Sequence, residues 1–276
     1  MKKIAAVIID TYEDKLLPKL AIDKTLECNS ISKIYTFSDT PFYDGANFIE
    51  IPKIASAKDY EKIVLQDLIQ VVNEDLLVIQ WDGFVLNPNK WTDDFLSYDY
   101  IGAPTFFDKT SFIMNGGFSF RSLKLMETFA MFQDSHRSAT ESMPEDVLIS
   151  KQHKVDLERL GVKFAPLEVA ERFSFQEGLI ENFNNIFGFH SPKNFPLLFE
   201  EKSLLQISKK ITERIIGFEI LTIFLENCRY KKYFELFSES INSIEAIPTL
   251  VHIIDERLKI DNGMWSQRFI NVMKAI

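Results

Sequence analysis

Asp75-Leu76-Leu77-Val78-Ile79-Gln80-Trp81-Asp82-Gly83-Phe84 is the stretch that decides the fold. Four consecutive aliphatic residues bounded by polar ones read as a strand buried on both faces, as in a parallel sheet covered by helices. Toward the N-terminus, Asp59–Val72 carries Ile63, Leu65, Leu68, Ile69 and Val72 at helical spacing. Asn47–Ile51 and Lys33–Phe37 read as short strands, Leu16–Leu26 as a helix, and Ile4–Ile9 as a second continuous apolar strand. Strands alternating with helices imply right-handed crossovers and a largely parallel sheet. In such sheets ligands gather beyond the carboxyl ends of the strands, where Asp10 and Asp82 both stand.

Toward the C-terminus the signals shorten. Tyr98–Pro104 and Met114–Phe120 are followed by a helix over Ser122–Phe132, a polar loop over Gln133–Met143, and a helix opening at Pro144, where proline is tolerated. Short strands are expected at Val162–Ala165 and Glu171–Phe175, and a turn near Gly188–Pro192. Past Phe195, Leu204, Ile207, Ile211, Ile215, Phe218, Thr222 and Leu225 recur at helical spacing, with further amphipathic segments at Tyr233–Ile241, Thr249–Leu258 and Trp265–Met273. The expected organisation is an α/β domain over residues 1–195 and a helical region over 196–276.

Composition bounds the function. A hydrophobic share of 46% with 26% charged residues is that of a globular chain, and 25 Phe suit a thick core. The net charge of −9 argues against nucleic acid, which needs a basic face, but permits a nucleotide bound through a local cation. Cys28 and Cys228 lack metal-ligand spacing and read as buried thiols in a reducing compartment. Ile215–Leu225 is too short to span a bilayer, so a cytoplasmic location is expected.

Four features could carry chemistry. Asp82, after a buried strand and before Gly83, can hold a hard divalent ion or simply cap a turn. Asn115-Gly116-Gly117-Phe118-Ser119 can bring backbone close to a ligand or form a bulge between strands. Glu145-Asp146-Val147 places two acids at a helix start, where they serve the helix dipole or act as a general base; the dipole lowers a carboxyl pKa, so a base there needs desolvation. His190, after Phe187-Gly188-Phe189, can be a metal ligand or a packed imidazole.

Taken in order, Gln80-Trp81-Asp82-Gly83-Phe84, Asp99-Tyr100-Ile101-Gly102-Ala103-Pro104, Asn115-Gly116-Gly117-Phe118-Ser119-Phe120-Arg121-Ser122, Glu145-Asp146-Val147 and Phe187-Gly188-Phe189-His190 resemble a bacterial and fungal family of glycosyltransferase-like proteins, over roughly Ile4–Pro192. That family resembles in turn the GT-A nucleotide-sugar glycosyltransferases, with their Rossmann-like mixed sheet. The resemblance implies a metal motif at Gln80-Trp81-Asp82, with an amide in place of the first acid. It further implies Mn²⁺ or Mg²⁺ held by Asp82 and His190, and a base at Asp146 with Glu145 as the fallback. The donor would be a nucleotide-sugar, by resemblance a uridine diphosphate sugar, contacted by Asp10, Thr11, Tyr12, Gln80, Trp81, Asp82, Asn115, Gly116 and Gly117. The acceptor would be a glycan or lipid-linked saccharide, with inversion at the anomeric carbon. The C-terminal helices would pack on the domain, form a homodimer, or rest on the inner membrane face. Two rivals stand beside this reading: a silent sugar- or nucleotide-binding module, favoured by Gln80, and a nucleotidyltransferase. The latter needs a basic Gly-rich loop where Asp10-Thr11-Tyr12-Glu13-Asp14 is acidic.

Overall fold

The computed structural model describes residues 2–106, 112–135, 143–177, 183–215, 217–245 and 264–274, with 251, 252, 254, 256 and 259 between the last two. The chain divides into two compact units, residues 1–190 and 191–276. The first is α/β, with a mostly parallel sheet flanked by helices.

Its main sheet has the order β3-β2-β1-β4-β7-β6. Strands β1 (Ile4–Ile9), β2 (Ile31–Ser38), β3 (Asn47–Glu50) and β4 (Leu76–Ile79) run parallel; β7 (Phe112–Arg121) is antiparallel to both β4 and β6 (Tyr100–Phe106). Every residue of β1 and β4 is buried, which is why those segments are unbroken aliphatic runs. The parallel half packs on a helical stretch formed by α2 (Ala57–Lys62), a π turn at Ile63–Asp67 and α3 (Leu68–Val71). Ile63, Val64 and Leu68 join Val7, Val78 and Phe37 in one core cluster. Ser56 caps this stretch by accepting from Asp59 N at 3.3 Å, while Asp59 accepts from Ala55 N at 3.1 Å.

A second, three-stranded sheet, β5 (Gly83–Val85), β9 (Gly188–His190) and β8 (Ser174–Phe175), has β9 at its centre. Aromatic residues meet beside it: Phe187 lies 5.3 Å from Trp91, 5.8 Å from Phe118 and 5.7 Å from Phe173 between ring centroids. Phe187 has no exposed surface. Phe187→Ala should cost about 3–5 kcal/mol, read as a lower urea midpoint at unchanged slope.

Several local expectations are corrected. Gly188–His190 is a strand, not a turn, because it completes the second sheet. Glu171–Phe173 belongs to a helix, α7 (Leu167–Phe173), and only Ser174–Phe175 is strand. Within Val162–Ala165 the pairing is a single bridge, Tyr100 with Phe164. The helix from Leu123 extends to Ser135, past the predicted end at Phe132, and most of the loop expected at 133–143 lies outside the described residues.

The second unit is helical. The spacing from Leu204 to Leu225 is distributed over Glu201–Leu205, Ser208–Arg214 and Phe218–Tyr230. Phe234–Glu245 and Met264–Met273 follow, and the expected segment 249–258 lies mostly outside the described residues. Buried Thr212, Thr222 and Ser240 donate to carbonyls four residues back, at 2.9, 2.8 and 2.7 Å, which satisfies these three hydroxyls within their own helices. Arg268 pairs with Glu226, and Phe218 packs 5.1 Å from Phe269. Among the described residues no helix is long and apolar enough to cross a membrane. Cys28 and Cys228 are both buried and free, and burial raises both thiols.

Candidate active site

The carboxyl edge of β4 assembles the site. Val78 pairs with Ser119 in the antiparallel β4–β7 ladder, which brings Gln80 level with Gly117 two residues further along. Gln80 and Gly83 exchange backbone hydrogen bonds of 2.8 and 3.1 Å, so Trp81 and Asp82 form a tight turn into β5. Gly83 lies opposite His190 in the β5–β9 pairing. His190 Nε2 consequently sits 3.8 Å from Asp82 Oδ2 and 3.2 Å from Gln80 Oε1. Its Nδ1 lies 3.0 Å from Gln176 Oε1, and Gln80 Nε2 donates to the Tyr60 hydroxyl at 2.7 Å. Loss of solvent, followed by the negative charge of Glu145, raises the Tyr60 phenol and keeps it protonated.

The paired glycines form a bulge in β7. Gly102 faces Ser119 and Pro104 faces Met114, so Ala103 alone spans Asn115–Phe118. Their small size serves neighbouring side chains. A Cβ on Gly117 would overlap His190 Nε2 and lie 2.7 Å from Gln80 Oε1; one on Gly116 would overlap Glu145 Oε1. The bulge is therefore the partition between two groups of polar residues.

On the Gly116 side, Asp146 Oδ2 accepts from Gly116 N and Asn115 Nδ2, each at 3.2 Å, and Oδ1 accepts from Val147 N at 2.7 Å. Burial, then the charge of Glu145, pushes this carboxyl above the ordinary aspartate range. Burial and Glu145 together outweigh the backbone N–H groups of Gly116 and of Val147, the latter in the first turn of α5 (Glu145–Val147), which act to lower it. Glu145 is engaged differently. Its Oε1 accepts from Arg121 NH2 at 2.9 Å in a pair whose side chains are 9% and 2% exposed. The arginine also donates to Ser119 Oγ at 3.1 Å and stands over the Tyr100 ring at 5.7 Å.

Asp10, Thr11 and Tyr12 belong to another cluster, at the end of β1. Lys15 Nζ donates to Asp10 O at 2.8 Å and lies 3.4 Å from Asp10 Oδ1 and 3.6 Å from Asp39 Oδ1. Thr11 Oγ1 accepts from Ile54 N at 2.9 Å, leaving Tyr12 as the exposed side chain of the three. A separate cavity of about 500 Å³, lined by Lys90, Trp91, Arg172 and Asn185 among others, contains none of the residues singled out from sequence.

Sequence reasoning missed Arg121, Tyr60, Gln176 and Lys15. Arg121 carries no local signal: its burial in β7 is what demands a counter-charge, and Glu145 supplies it. Among the described residues no three histidine, cysteine or carboxylate side chains form a metal-binding group. Asp82 Oδ2 and His190 Nε2, 3.8 Å apart, would supply two ligands to a divalent ion, with the rest coming from water and phosphate oxygens. Such an ion would need the Nε2 edge that now faces Gln80.

A family model described as protein of unknown function (DUF5672) matches residues 46–190, more than half of the chain. The chain belongs to this family. The part of this DUF5672 protein that matches carries Gln80, Asp82, the Asn115–Gly117 bulge, Asp146 and His190, and leaves out Asp10–Tyr12. Comparison with curated proteins gives no match. Among solved structures, the DUF5672 protein is similar to a glycosyltransferase involved in glycosylation of the major capsid of PBCV-1, at 12% identity and a TM-score of 0.44, covering 68% of this chain and 92% of that one. It is also similar to the galactosyltransferase LgtC in complex with donor and acceptor sugar analogs, at 11% identity and a TM-score of 0.42, covering 68% and 86%. For the glycosyltransferase GlyE of Streptococcus pneumoniae TIGR4 the values are 14% and 0.39, covering 63% and 47%.

Proposed function

We propose that the first unit is a glycosyltransferase that moves a sugar from a nucleotide-sugar, by motif resemblance a uridine diphosphate sugar, to a glycan hydroxyl with inversion. The observation carrying this reading is Asp146, a buried carboxylate with raised proton affinity, held by the backbone and amide of the bulge that borders the Asp82–His190 pair. A base needs a pKa nearer the working pH than an exposed aspartate has, and burial supplies that. In the proposed step the acceptor hydroxyl gives its proton to Asp146 while its oxygen bonds the anomeric carbon. The bond from that carbon to the diphosphate oxygen breaks, and its electron pair leaves on the diphosphate. Asp82 and His190 would hold a Mn²⁺ or Mg²⁺ ion, which supplies neutralisation of the leaving diphosphate. Glu145 is an unsuitable base because its carboxylate is already paired.

The nucleotidyltransferase alternative is disfavoured by Lys15, a cation committed to Asp10 and Asp39 and thus unavailable as the centre of a basic phosphate loop. Thermal-shift measurements with a panel of uridine diphosphate sugars, with and without Mn²⁺, test the proposal. A rise in Tm with one donor, larger with metal and reduced by Asp82→Ala, is expected. No response to any donor would remove the transferase reading. A full response without metal would move Asp82 from metal ligand to direct contact.

A further inference from the structure

Gly116 is a meeting point of three polar groups, all of them buried. Its N–H donates to Asp146 Oδ2 at 3.2 Å, and its carbonyl accepts from Ser119 Oγ at 2.9 Å and Arg121 NH2 at 3.4 Å. The same Arg121 nitrogen donates to Glu145 at 2.9 Å. One guanidinium thus holds the carbonyl of the residue whose N–H orients Asp146 and neutralises the carboxylate next to Asp146 in sequence. An Arg with 1% exposure is costly to bury, and a strand could carry an aliphatic residue at this position far more cheaply.

From this geometry we infer that Arg121 is a positioning residue for Asp146, holding residue Gly116 through its carbonyl and setting the charge that the Asp146 carboxyl experiences. The inference deepens the proposed base role of Asp146 and rests on it for its functional meaning. Its electrostatic content can be tested without any substrate.

The groups facing Asp146 define what the test must separate. Glu145 beside it and Glu61 on α2 oppose its ionisation; Arg121 on β7 favours it; the phenol of Tyr100 on β6 is protonated at neutral pH because burial raises it. Tyr60 lies within electrostatic range of Glu145 and Arg121 and is also protonated. Among these, Arg121 is the cation hydrogen-bonded to both the Gly116 carbonyl and Glu145. Without its charge, Glu145 would act on Asp146 unopposed. Without the charge of Glu145, Asp146 would ionise more readily.

The experiment uses the full chain labelled with ¹⁵N-glycine, which gives only 10 glycine signals. The Gly116 amide proton is bonded to the Asp146 carboxylate, so its shift titrates with that group; loss of the titration in Asp146→Asn assigns it. Glu145→Gln is expected to move the midpoint to lower pH, and Arg121→Met to higher pH. The charge-balanced double variant Arg121→Met with Glu145→Gln should fold even where Arg121→Met alone does not. In that double variant the Gly116 signal should shift and broaden, because its carbonyl keeps only the Ser119 hydroxyl and Ser119 has itself lost the Arg121 donor. A midpoint unmoved by Glu145→Gln, together with an unchanged Gly116 signal in the double variant, would overturn the inference. Normal turnover by Asp146→Asn alongside the predicted midpoint shifts would instead remove Asp146 as the base and leave the positioning role of Arg121 intact.

Discussion

Replacing Asp146 with Asn should lower turnover by about 10²–10⁴-fold while leaving the Kd for the donor within a few-fold of wild type. The amide cannot take the acceptor's proton, whereas the Asp82–His190 side of the bulge is untouched by the change. The substitution also has a structural cost. Asp146 accepts at both oxygens, from Val147 N on one and from Gly116 N and Asn115 Nδ2 on the other. An NH₂ group must oppose one of these donors, at about 1–3 kcal/mol. Donor affinity by calorimetry is therefore the control that separates lost chemistry from lost fold. The wild-type pH profile gives a second check. The carboxyl is raised above the ordinary aspartate range, and only its ionised form can accept a proton. Activity should fall as pH drops through that raised value, and this acid limb should lie above the range of an exposed aspartate. A limb inside that range, or turnover by Asp146→Asn near that of wild type, would assign the base elsewhere.

Much of this arrangement was legible because strand-end chemistry follows from local pattern. Leu76–Ile79 announces a doubly covered strand, and any polar residue at its carboxyl end is a site candidate before its chemistry is known. Topology then brings distant motifs together without further assumptions: β7 lies beside β4 and β9 beside β5, so Gly117 and His190 converge on Gln80. The direction of β7, antiparallel to both β4 and β6, was not legible. It depends on which sheet edge remains open, a long-range property that no local period encodes.

Two kinds of residue escaped for different reasons. Tyr60 and Gln176 are ordinary polar residues whose role depends wholly on their partners Gln80 and His190. Arg121 stands inside the Asn115–Ser122 motif, but its importance comes from burial, and the alternation in Phe118-Ser119-Phe120-Arg121 suggests a polar outward face. The structure overrides that pattern because the bulge at Asn115–Phe118 and the packing of α5 cover the face on which Ser119 and Arg121 lie. The glycines show the same limit. Sequence left two readings, close approach to a ligand or a bulge between strands; the structure shows the bulge, crowded by the protein's own side chains.

That crowding makes Gly116→Ala a damaging substitution, because it strikes the buried Arg121–Glu145 pair. The added Cβ would overlap Glu145 Oε1 and lie 2.9 Å from Arg121 NH2. Neither partner can retreat into water, since Arg121 and Glu145 are both buried and the pair closes on itself. Overpacking alone costs about 1–3 kcal/mol. Parting a buried ion pair costs about 3–5 kcal/mol, because each charge is then left uncompensated. The two penalties act on the same contact and do not simply add, so a loss of about 3–5 kcal/mol is expected by urea unfolding. Gly117→Ala provides the contrast. Its Cβ would meet His190 and Gln80, neither of which belongs to the buried Arg121–Glu145 pair. That variant should lose less stability but lose the metal-enhanced response to donor, because the Asp82–His190 pair is parted. Equal and small losses in both variants would mean that Glu145 can leave Arg121 cheaply, and the partition between the two polar groups would then be far softer than the distances imply.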